Sequence, residues 1–386
     1  VDMGAYESPP EYEPIDEWEP LSIMRVKSNA LPGGNGSSWD RAVRSISAAI
    51  QVMGATGEIW VAAGTYHESI HMEPGIALYG GFVGTEETRG ERYWTVNETI
   101  IDAAGLDTPA VTGADDAILD GFTITGGEDS GVCCYVSSPT LTNCTISENT
   151  AGFGGGVYCE DSSPTLSNCT ISGNTPFIGG GVYCRGSCVM LVNCMITGNT
   201  AYEGGGVCCE YSSSALSSCV IAGNTADRQG GGIHCSSDSS VTLVNCSFSG
   251  NSATNGNTLA CDSYNRPSTV NIANSILWDG EDEIWNNDDS TITISYSDIC
   301  GGWPGEGNID SDPHFVQPWD GKSADLHLSP GSPCIDAGNP DPSHNDRCLP
   351  PGLGTQRCDM GAYGGPGNCG WLESEGTVGV LEWMMY

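Results

Sequence analysis

The sequence SSPTLSNCTISGNTPFIGGGVYC at residues 162–184 decides the fold, because close variants of it recur along the middle of the chain. Five such segments begin at Ser137, Ser162, Gly186, Ser212 and Ser239. They share a cysteine column at Cys144, Cys169, Cys194, Cys219 and Cys246. The steps between these cysteines are 25, 25, 25 and 27 residues. A period in the twenties is typical of a solenoid, in which each repeat contacts only its neighbours.

Each repeat contains short alternating runs rather than helical patterns. Leu166, Cys169 and Ile171 fall on one face if the chain bends near Asn168, and serines and threonines fall on the other. The runs are too short for helices, and Ser-Pro, Gly-Asn and Gly-Gly separate them. The Leu-x-x-Leu-x-Leu frame of leucine-rich repeats is absent. We therefore predict an all-β fold, a parallel β-helix of about nine to ten coils stacked roughly 4.8 Å apart.

Stacked coils turn recurring residues into columns. Two asparagine columns should support the bends, because asparagine tolerates left-handed backbone and its amide bonds to neighbouring turns; they are Asn143, Asn168, Asn193 and Asn245, and Asn149, Asn174, Asn199, Asn224 and Asn251. Glycine triplets at 154–156, 179–181, 204–206 and 230–232 should allow tight bends. The cysteine columns are expected to be mostly reduced thiols, with inter-coil disulfides as the alternative.

The two ends of the solenoid have different sequences. Residues 36–53 predict an amphipathic helix, capped by Ser38, that covers the first coil, and residues 81–101 predict an excursion. The predicted organisation is a linker over 1–20, an N-terminal cap over 21–57, the β-helix over 58–306, a loop-rich C-terminal cap over 307–370 and a tail over 371–386. Among the C-terminal cysteines, we favour a short Cys348–Cys358 disulfide.

Several motifs resemble one family. They are GSSWDRAV at 36–43, IWVAAGTY at 59–66, NIDSDPHF at 308–315, and SPGSPCIDAG through DMGAY at 329–363. With the N-C-x-I-x-x-N-T coils, they resemble secreted right-handed parallel β-helix proteins of the pectin-lyase-like superfamily with a choice-of-anchor type C-terminal region. The resemblance implies a right-handed β-helix and secretion, but no particular reaction, because this fold hosts lyases, hydrolases and non-enzymatic adhesins.

The C-terminal motif DMGAY occurs twice. Residues Asp2, Met3, Gly4, Ala5 and Tyr6 repeat residues 359–363, and a Pro/Glu-rich stretch follows the first copy. The first copy is expected to be the end of a preceding module or a strand that docks on a neighbouring copy. Head-to-tail docking of this kind builds filaments or tandem arrays.

Charge excludes several partners. The 386 residues contain 12 Lys+Arg and 49 Asp+Glu, a formal net charge of −37. Nucleic acid and anionic membranes need clustered cations, so neither is an expected partner. No apolar run is long enough to span a bilayer. Acidity, few lysines and 19 cysteines favour an extracellular or cell-surface location.

Candidate catalytic residues are few. Arg185 lies in a predicted outward column between Glu160 and Glu210, which is typical of an ion-pair ladder. The two glutamates, two coils apart, also have the spacing of an inverting glycosidase pair. Phe177 and Tyr202 occupy equivalent loop positions and are candidates for stacking on sugar rings.

Calcium is the candidate metal, because it takes oxygen ligands from loops. The candidate ligands crowd the C-terminal region: Asn308, Asp310, Asp312, Asp336, Asp341, Asp346 and Asp359. Turn formation explains the same residues equally well.

The leading functional hypothesis is a secreted, non-catalytic structural or surface protein that associates end to end with other copies through its DMGAY strands. The alternatives are a carbohydrate-active enzyme, either a polysaccharide lyase or a glycosidase, and a carbohydrate-binding adhesin. In the two alternatives the partner is a polysaccharide.

Overall fold

The chain folds as a parallel β-solenoid, as its repeats predict. The structure, a computed structural model, describes residues 22–54, 56–263 and 266–374. Within these residues, three long parallel sheets contain eleven, ten and nine strands. Successive coils pair in register, so Leu166 lies beside Leu141 and Leu191, and Ile171 lies beside Ile146 and Ile196.

The strands of the three long sheets are short. Sheet A contains Ile23–Val26, Gly57–Ala62, Ile76–Phe82, Ile118–Asp120, Thr140–Thr142, Thr165–Ser167, Met190–Val192, Ser213–Ser217, Ser240–Val244, Thr269–Ala273 and Thr291–Ser295. Sheet B contains Gly64–Tyr66, Thr99–Asp102, Thr123–Thr125, Thr145–Ser147, Thr170–Ser172, Met195–Thr197, Val220–Ala222, Ser247–Ser249, Ile276–Trp278 and Asp298–Ile299. Sheet C contains Ile70–His71, Val111–Thr112, Val132–Tyr135, Val157–Glu160, Val182–Arg185, Val207–Glu210, Ile233–Ser236, Leu259–Cys261 and Ile284–Asn286.

Smaller secondary-structure elements lie outside the three long sheets. Sheet D contains Thr200–Glu203, Thr225–Gln229 and Ser252–Asn255, and an antiparallel pair joins Phe315–Gln317 to Asp325–Leu328. The α-helices are Ile46–Met53 and Gly370–Ser374, and short 3-10 helices occur at Trp39–Arg41, Arg89–Glu91 and Pro342–His344.

The N-terminal helix is shorter than the sequence predicts. Ser45, not Ser38, caps it, because the Ser45 hydroxyl accepts the Ala48 N–H at 3.1 Å. Before it, Trp39–Arg41 form a separate 3-10 helix, and Val43 pairs with Val26 of sheet A. Ile46 and Ile50 are buried in the core of the first coil, so the helix still covers this end.

The second asparagine column is a continuous buried ladder. Each side-chain N–H of Asn149, Asn174 and Asn199 donates to the amide oxygen of the next asparagine at 2.9–3.0 Å. The same amide nitrogens also donate to carbonyls of the preceding coil. The ladder ends where Asn251 donates to the carboxylate of Asp279 at 3.1 Å. Because every amide is satisfied, the coil can bury these polar groups at little cost.

The cysteine columns are reduced. Seventeen of the cysteines are free, and most of them are buried in the core. Cys169 is representative, since its thiol donates to Ser167 O at 3.3 Å and contacts Leu141 O at 3.7 Å. The thiols therefore pack as small core residues that share hydrogen bonds with the bends.

Only the first residues of the predicted C-terminal cap lie on the last coil, where Ile309 pairs with Asp298. Residues 315–371, here called the flank segment, run back along the outside of sheet B towards earlier coils. Gly361 N–H donates to Asn274 O at 2.8 Å, and Gly370 lies against Asn193. A second hydrophobic cluster joins the two layers, with Val220 and Ile276 of sheet B contacting buried residues of the flank segment: Phe315, Leu326, Leu328, Cys334, Met360, Ala362 and Trp371.

Removing one amide of the ladder should destabilise the fold. In Asn199→Ala, buried groups of the neighbouring coils lose their partners, and we expect a loss of roughly 2–4 kcal/mol in the free energy of unfolding. Thr200→Ala is the matched control, because Thr200 is exposed and adjacent. Urea unfolding of both variants measures the difference, and an equal, small effect in the two would contradict a stabilising ladder.

Stability should rise as the pH falls. Burial raises the pKa of Asp279 to about 6 and, with the charge of Asp279, that of Glu283 to about 8. The folded state therefore binds protons more tightly than the unfolded chain, and this contribution is lost as the pH rises through about 6 to 8. The thermal midpoint should be higher at about pH 5 than at about pH 8.

Glu283→Gln should flatten this pH profile, because it removes the carboxyl with the highest of these pKa values. Glu281→Gln is the control, since Glu281 is exposed on the same turn. A profile that stays equally steep in Glu283→Gln would show that other groups carry the dependence.

Candidate functional site

A long groove lies on the outside of sheet B and has a volume of about 670 Å³. Its floor is formed by outward residues of four successive coils, Thr123, Thr145, Thr170 and Met195. It lies on the part of sheet B that the flank segment leaves uncovered. Its size is within the range of small-molecule and sugar-binding pockets.

The first asparagine column borders this floor. Asn143, Asn168 and Asn193 have left-handed backbone, with φ of 53°, 53° and 51°. The sequence predicted such bends but not a groove beside them. The side-chain oxygens of Asn168 and Asn193 are buried and accept no hydrogen bond from any described residue. This column therefore differs from the satisfied ladder formed by the second one.

One wall of the groove comes from the excursion over residues 83–98. Trp94 lies beside Gly121 of the coil bend, where a β-carbon would approach the Trp94 side chain to 2.9 Å. Arg92 fixes this loop, since its guanidinium donates to Asp120 Oδ2 at 2.5 Å and to Gly80 O at 3.1 Å. Glu98 closes the same wall and accepts the Thr123 hydroxyl at 2.9 Å.

The opposite wall comes from the flank segment. The His327 and Tyr363 rings stack with centroids 3.5 Å apart, and Tyr363 contacts Trp371 at 5.0 Å. Asp325 Oδ1 lies 2.6 Å from His327 Nδ1. Despite partial burial, this contact lowers the pKa of Asp325, so the carboxylate stays ionised. The wall thus combines an aromatic surface with an oriented imidazole and a negative charge.

The flank segment is held in place by close glycine contacts. A β-carbon on Gly223 would meet the Trp319 ring at 2.0 Å, and Trp319 N–H donates to Ser249 Oγ at 3.2 Å. Asn245 Nδ2 donates to Asp359 O at 3.2 Å, and Ala362 N–H donates to Ser247 Oγ at 2.9 Å.

The C-terminal disulfide differs from the one expected from the sequence. Cys348 is bonded to Cys369, with a Cα–Cα distance of 5.2 Å, while Cys358 is free and buried. The Cys348–Cys358 prediction was wrong because Cys358 points into the interface with the solenoid, where Asn245 Nδ2 approaches its sulfur at 3.5 Å. The bond links the loop around Cys348 to the start of the last helix.

The predicted charged column lies on a different sheet from the groove. Arg185 pairs in register with Glu160 and Glu210 on sheet C. Glu210 accepts the Tyr183 hydroxyl at 2.7 Å. The charge of Glu210 raises the pKa of Arg185. A catalytic role for Arg185, Glu160 or Glu210 stays a prediction.

The two aromatic residues predicted to bind sugar stack on each other. The Phe177 and Tyr202 rings stack at 5.2 Å with an interplanar angle of 4°, and both are exposed. Each ring therefore covers one face of the other and leaves only the outer faces for a sugar. Sugar binding at this pair stays a prediction.

The predicted calcium ligands take part in turns. Asp312 accepts the His314 N–H at 2.9 Å, and Asp341 accepts the Ser343 N–H at 2.9 Å. Over the ranges that the structure covers, no three His, Cys, Asp or Glu side chains form a group able to hold a metal ion. Calcium binding at these residues stays a prediction.

The structure describes only the second of the two copies of DMGAY. Residues 359–363 are an internal anchor, with Asp359, Met360 and Ala362 buried against the solenoid or the flank segment itself. They are therefore not an exposed strand at the tip of the rod. Residues 2–6 lie outside the described residues, and their docking on another copy stays a prediction.

Comparisons with known proteins agree with the fold. The family model described as a right-handed β-helix region matches residues 72–201, and a model of a repeat of Chlamydia polymorphic membrane proteins matches residues 218–236. No curated protein matches the chain. No described helix is long and apolar enough to cross a membrane.

The solved structures that match include a pectate lyase and several pectin methylesterases. A pectate lyase is 14% identical, with 88% of this chain and 96% of that chain covered and a TM-score of 0.49. A pectin methylesterase from Aspergillus niger is 17% identical, with 76% and 88% covered and a TM-score of 0.38. One from Erwinia chrysanthemi is 10% identical, with 74% and 92% covered and a TM-score of 0.39. Similarities of this size carry no conclusion about the reaction.

Substitution at Gly223 should detach the flank segment. Gly223→Ala and Gly173→Ala incur the same backbone cost, because φ is 64° and 65°, but only Gly223 faces Trp319 while Gly173 faces open space. We expect Gly223→Ala to lose roughly 1–3 kcal/mol more in the free energy of unfolding. Denaturant unfolding followed by tryptophan fluorescence measures this difference. Equal losses in the two variants would mean that Trp319 does not pack there.

Proposed function

We propose that this chain is a secreted polysaccharide-binding protein whose groove on sheet B holds a segment of a glycan. The observation that carries the proposal is the composition of the groove. Trp94 lies on one wall, Tyr363 lies on the other with the buried Trp371 packed against it, and threonine and asparagine side chains line the floor. Aromatic faces suit the apolar faces of sugar rings, and hydroxyls and amides suit their hydroxyl groups.

Several features support the extracellular part of this proposal. The net charge of −37 and the scarcity of lysine are compatible with a protein that works outside the cell. The Cys348–Cys369 bond needs an oxidising compartment to form and persist.

The groove predicts which aromatic residue matters. Trp94→Ala should weaken glycan binding about tenfold or more, because a stacking surface is lost. Phe177→Ala should leave it unchanged, because Phe177 stacks on Tyr202 away from the groove. Glycan arrays followed by titration calorimetry compare the two variants, with thermal melting as a check on folding. The opposite result would place the site at the exposed aromatic pair.

Glycan cleavage is a second candidate function, favoured by the Asp325–His327 contact at 2.6 Å. The aspartate orients the imidazole, which can then accept or donate a proton at Nε2, and Glu98 supplies a carboxyl group on the other wall. Chromatography of glycans incubated with the wild type and with Asp325→Asn tests this role. If neither sample shows cleavage products, glycan binding without cleavage remains as the proposed function.

A further inference from the structure

The charges of the groove indicate which class of glycan it takes. Glu98 and Asp325 place carboxylates on opposite walls. Among the described residues that line the groove, there is no lysine or arginine. The nearest guanidinium, that of Arg92, is already bonded to Asp120 Oδ2 and to two carbonyl oxygens. The local charge of the groove therefore has the same sign as the net charge of the chain.

A polyuronate would meet repulsion in this groove. Each uronate carries a carboxylate, and Glu98 and Asp325 add two more. Among the lining residues that the structure describes, the one basic side chain is His327, whose imidazole already contacts Asp325 at 2.6 Å. The net charge of −37 adds a long-range repulsion that slows the encounter. This electrostatic pattern argues against the pectin-type substrates named for the structural neighbours.

A cationic glycan would be attracted by the same carboxylates. Ammonium groups donate hydrogen bonds to carboxylates, and such charge-assisted bonds are stronger than neutral ones.

We infer that the groove recognises a glycan bearing free amino groups, of the polyglucosamine type, with Glu98 and Asp325 as its anionic contacts. This inference rests on the proposed function, since it names the glycan class for the same groove. Binding is then electrostatically steered and weakens with added salt.

Three oligosaccharides of equal length test this inference: one of glucosamine, one of N-acetylglucosamine and one of galacturonate. Titration calorimetry with the intact protein is carried out at mildly acidic pH, at low and high salt, and the galacturonate arm is repeated with calcium. The glucosamine oligomer should bind tightest, by roughly tenfold, and should lose affinity as salt rises.

Glu98→Gln is the decisive variant, because glutamine keeps an oxygen for the Thr123 hydroxyl and removes only the charge. It should weaken glucosamine binding about tenfold and leave N-acetylglucosamine binding unchanged. Glu87→Gln is the matched control, since Glu87 is exposed on the same excursion and does not line the groove.

The outcomes separate the two proposals. Equal binding of the N-acetylated oligomer, or tighter binding of the galacturonate oligomer with or without calcium, would overturn the charge-based inference and leave a glycan-binding groove. Equal effects of Glu98→Gln and Glu87→Gln would also overturn it. If none of the three oligosaccharides binds and a wider glycan array is also negative, the proposed function itself is wrong.

Discussion

Every coil of this protein is hydrogen-bonded to the next along its backbone, and this constraint governs the rest of the structure. A period near 25 residues places like residues above one another, so each side-chain choice is repeated in space at the spacing of strands. A buried polar residue is tolerated only if its column satisfies itself. The Asn149–Asn251 ladder meets this condition because each amide both donates to and accepts from its neighbours. The cysteine column from Cys144 to Cys246 meets it by donating to carbonyls at the bends.

The flank segment packs against the regularly spaced bends from outside the solenoid. Its glycines approach successive coils, with Gly361, Gly365, Gly367 and Gly370 lying near Ile276, Asn245, Ser218 and Asn193. It stops short of Asn168 and Asn143, and the uncovered stretch becomes the floor of the groove. The groove is therefore a gap between two layers. Its position depends on where the flank segment ends and on where the excursion over residues 83–98 begins.

Much of the fold was predictable because its signal is local and repeated. Leu166, Cys169 and Ile171 are buried and Asn168 has left-handed backbone, as the alternation implies. The groove was not predictable in the same way. His327, Tyr363 and Trp371 lie more than a hundred residues from the asparagines that they face, and no repeat links them. The same limit explains the disulfide error, since three-dimensional proximity rather than short spacing pairs Cys348 with Cys369.

Most carboxylates that make up the net charge of −37 lie on turns, walls and outer faces, while the half-buried Asp279 and the buried Glu283 lie at the end of the asparagine ladder. Amide exchange within the flank segment tests most directly whether the groove exists. The Gly361 and Ala362 N–H groups donate to Asn274 O and Ser247 Oγ. We predict that both are protected as strongly as the strand amide of Ile276. Exchange as fast as that of an exposed loop residue such as Gly321 would show that the segment does not lie on the solenoid.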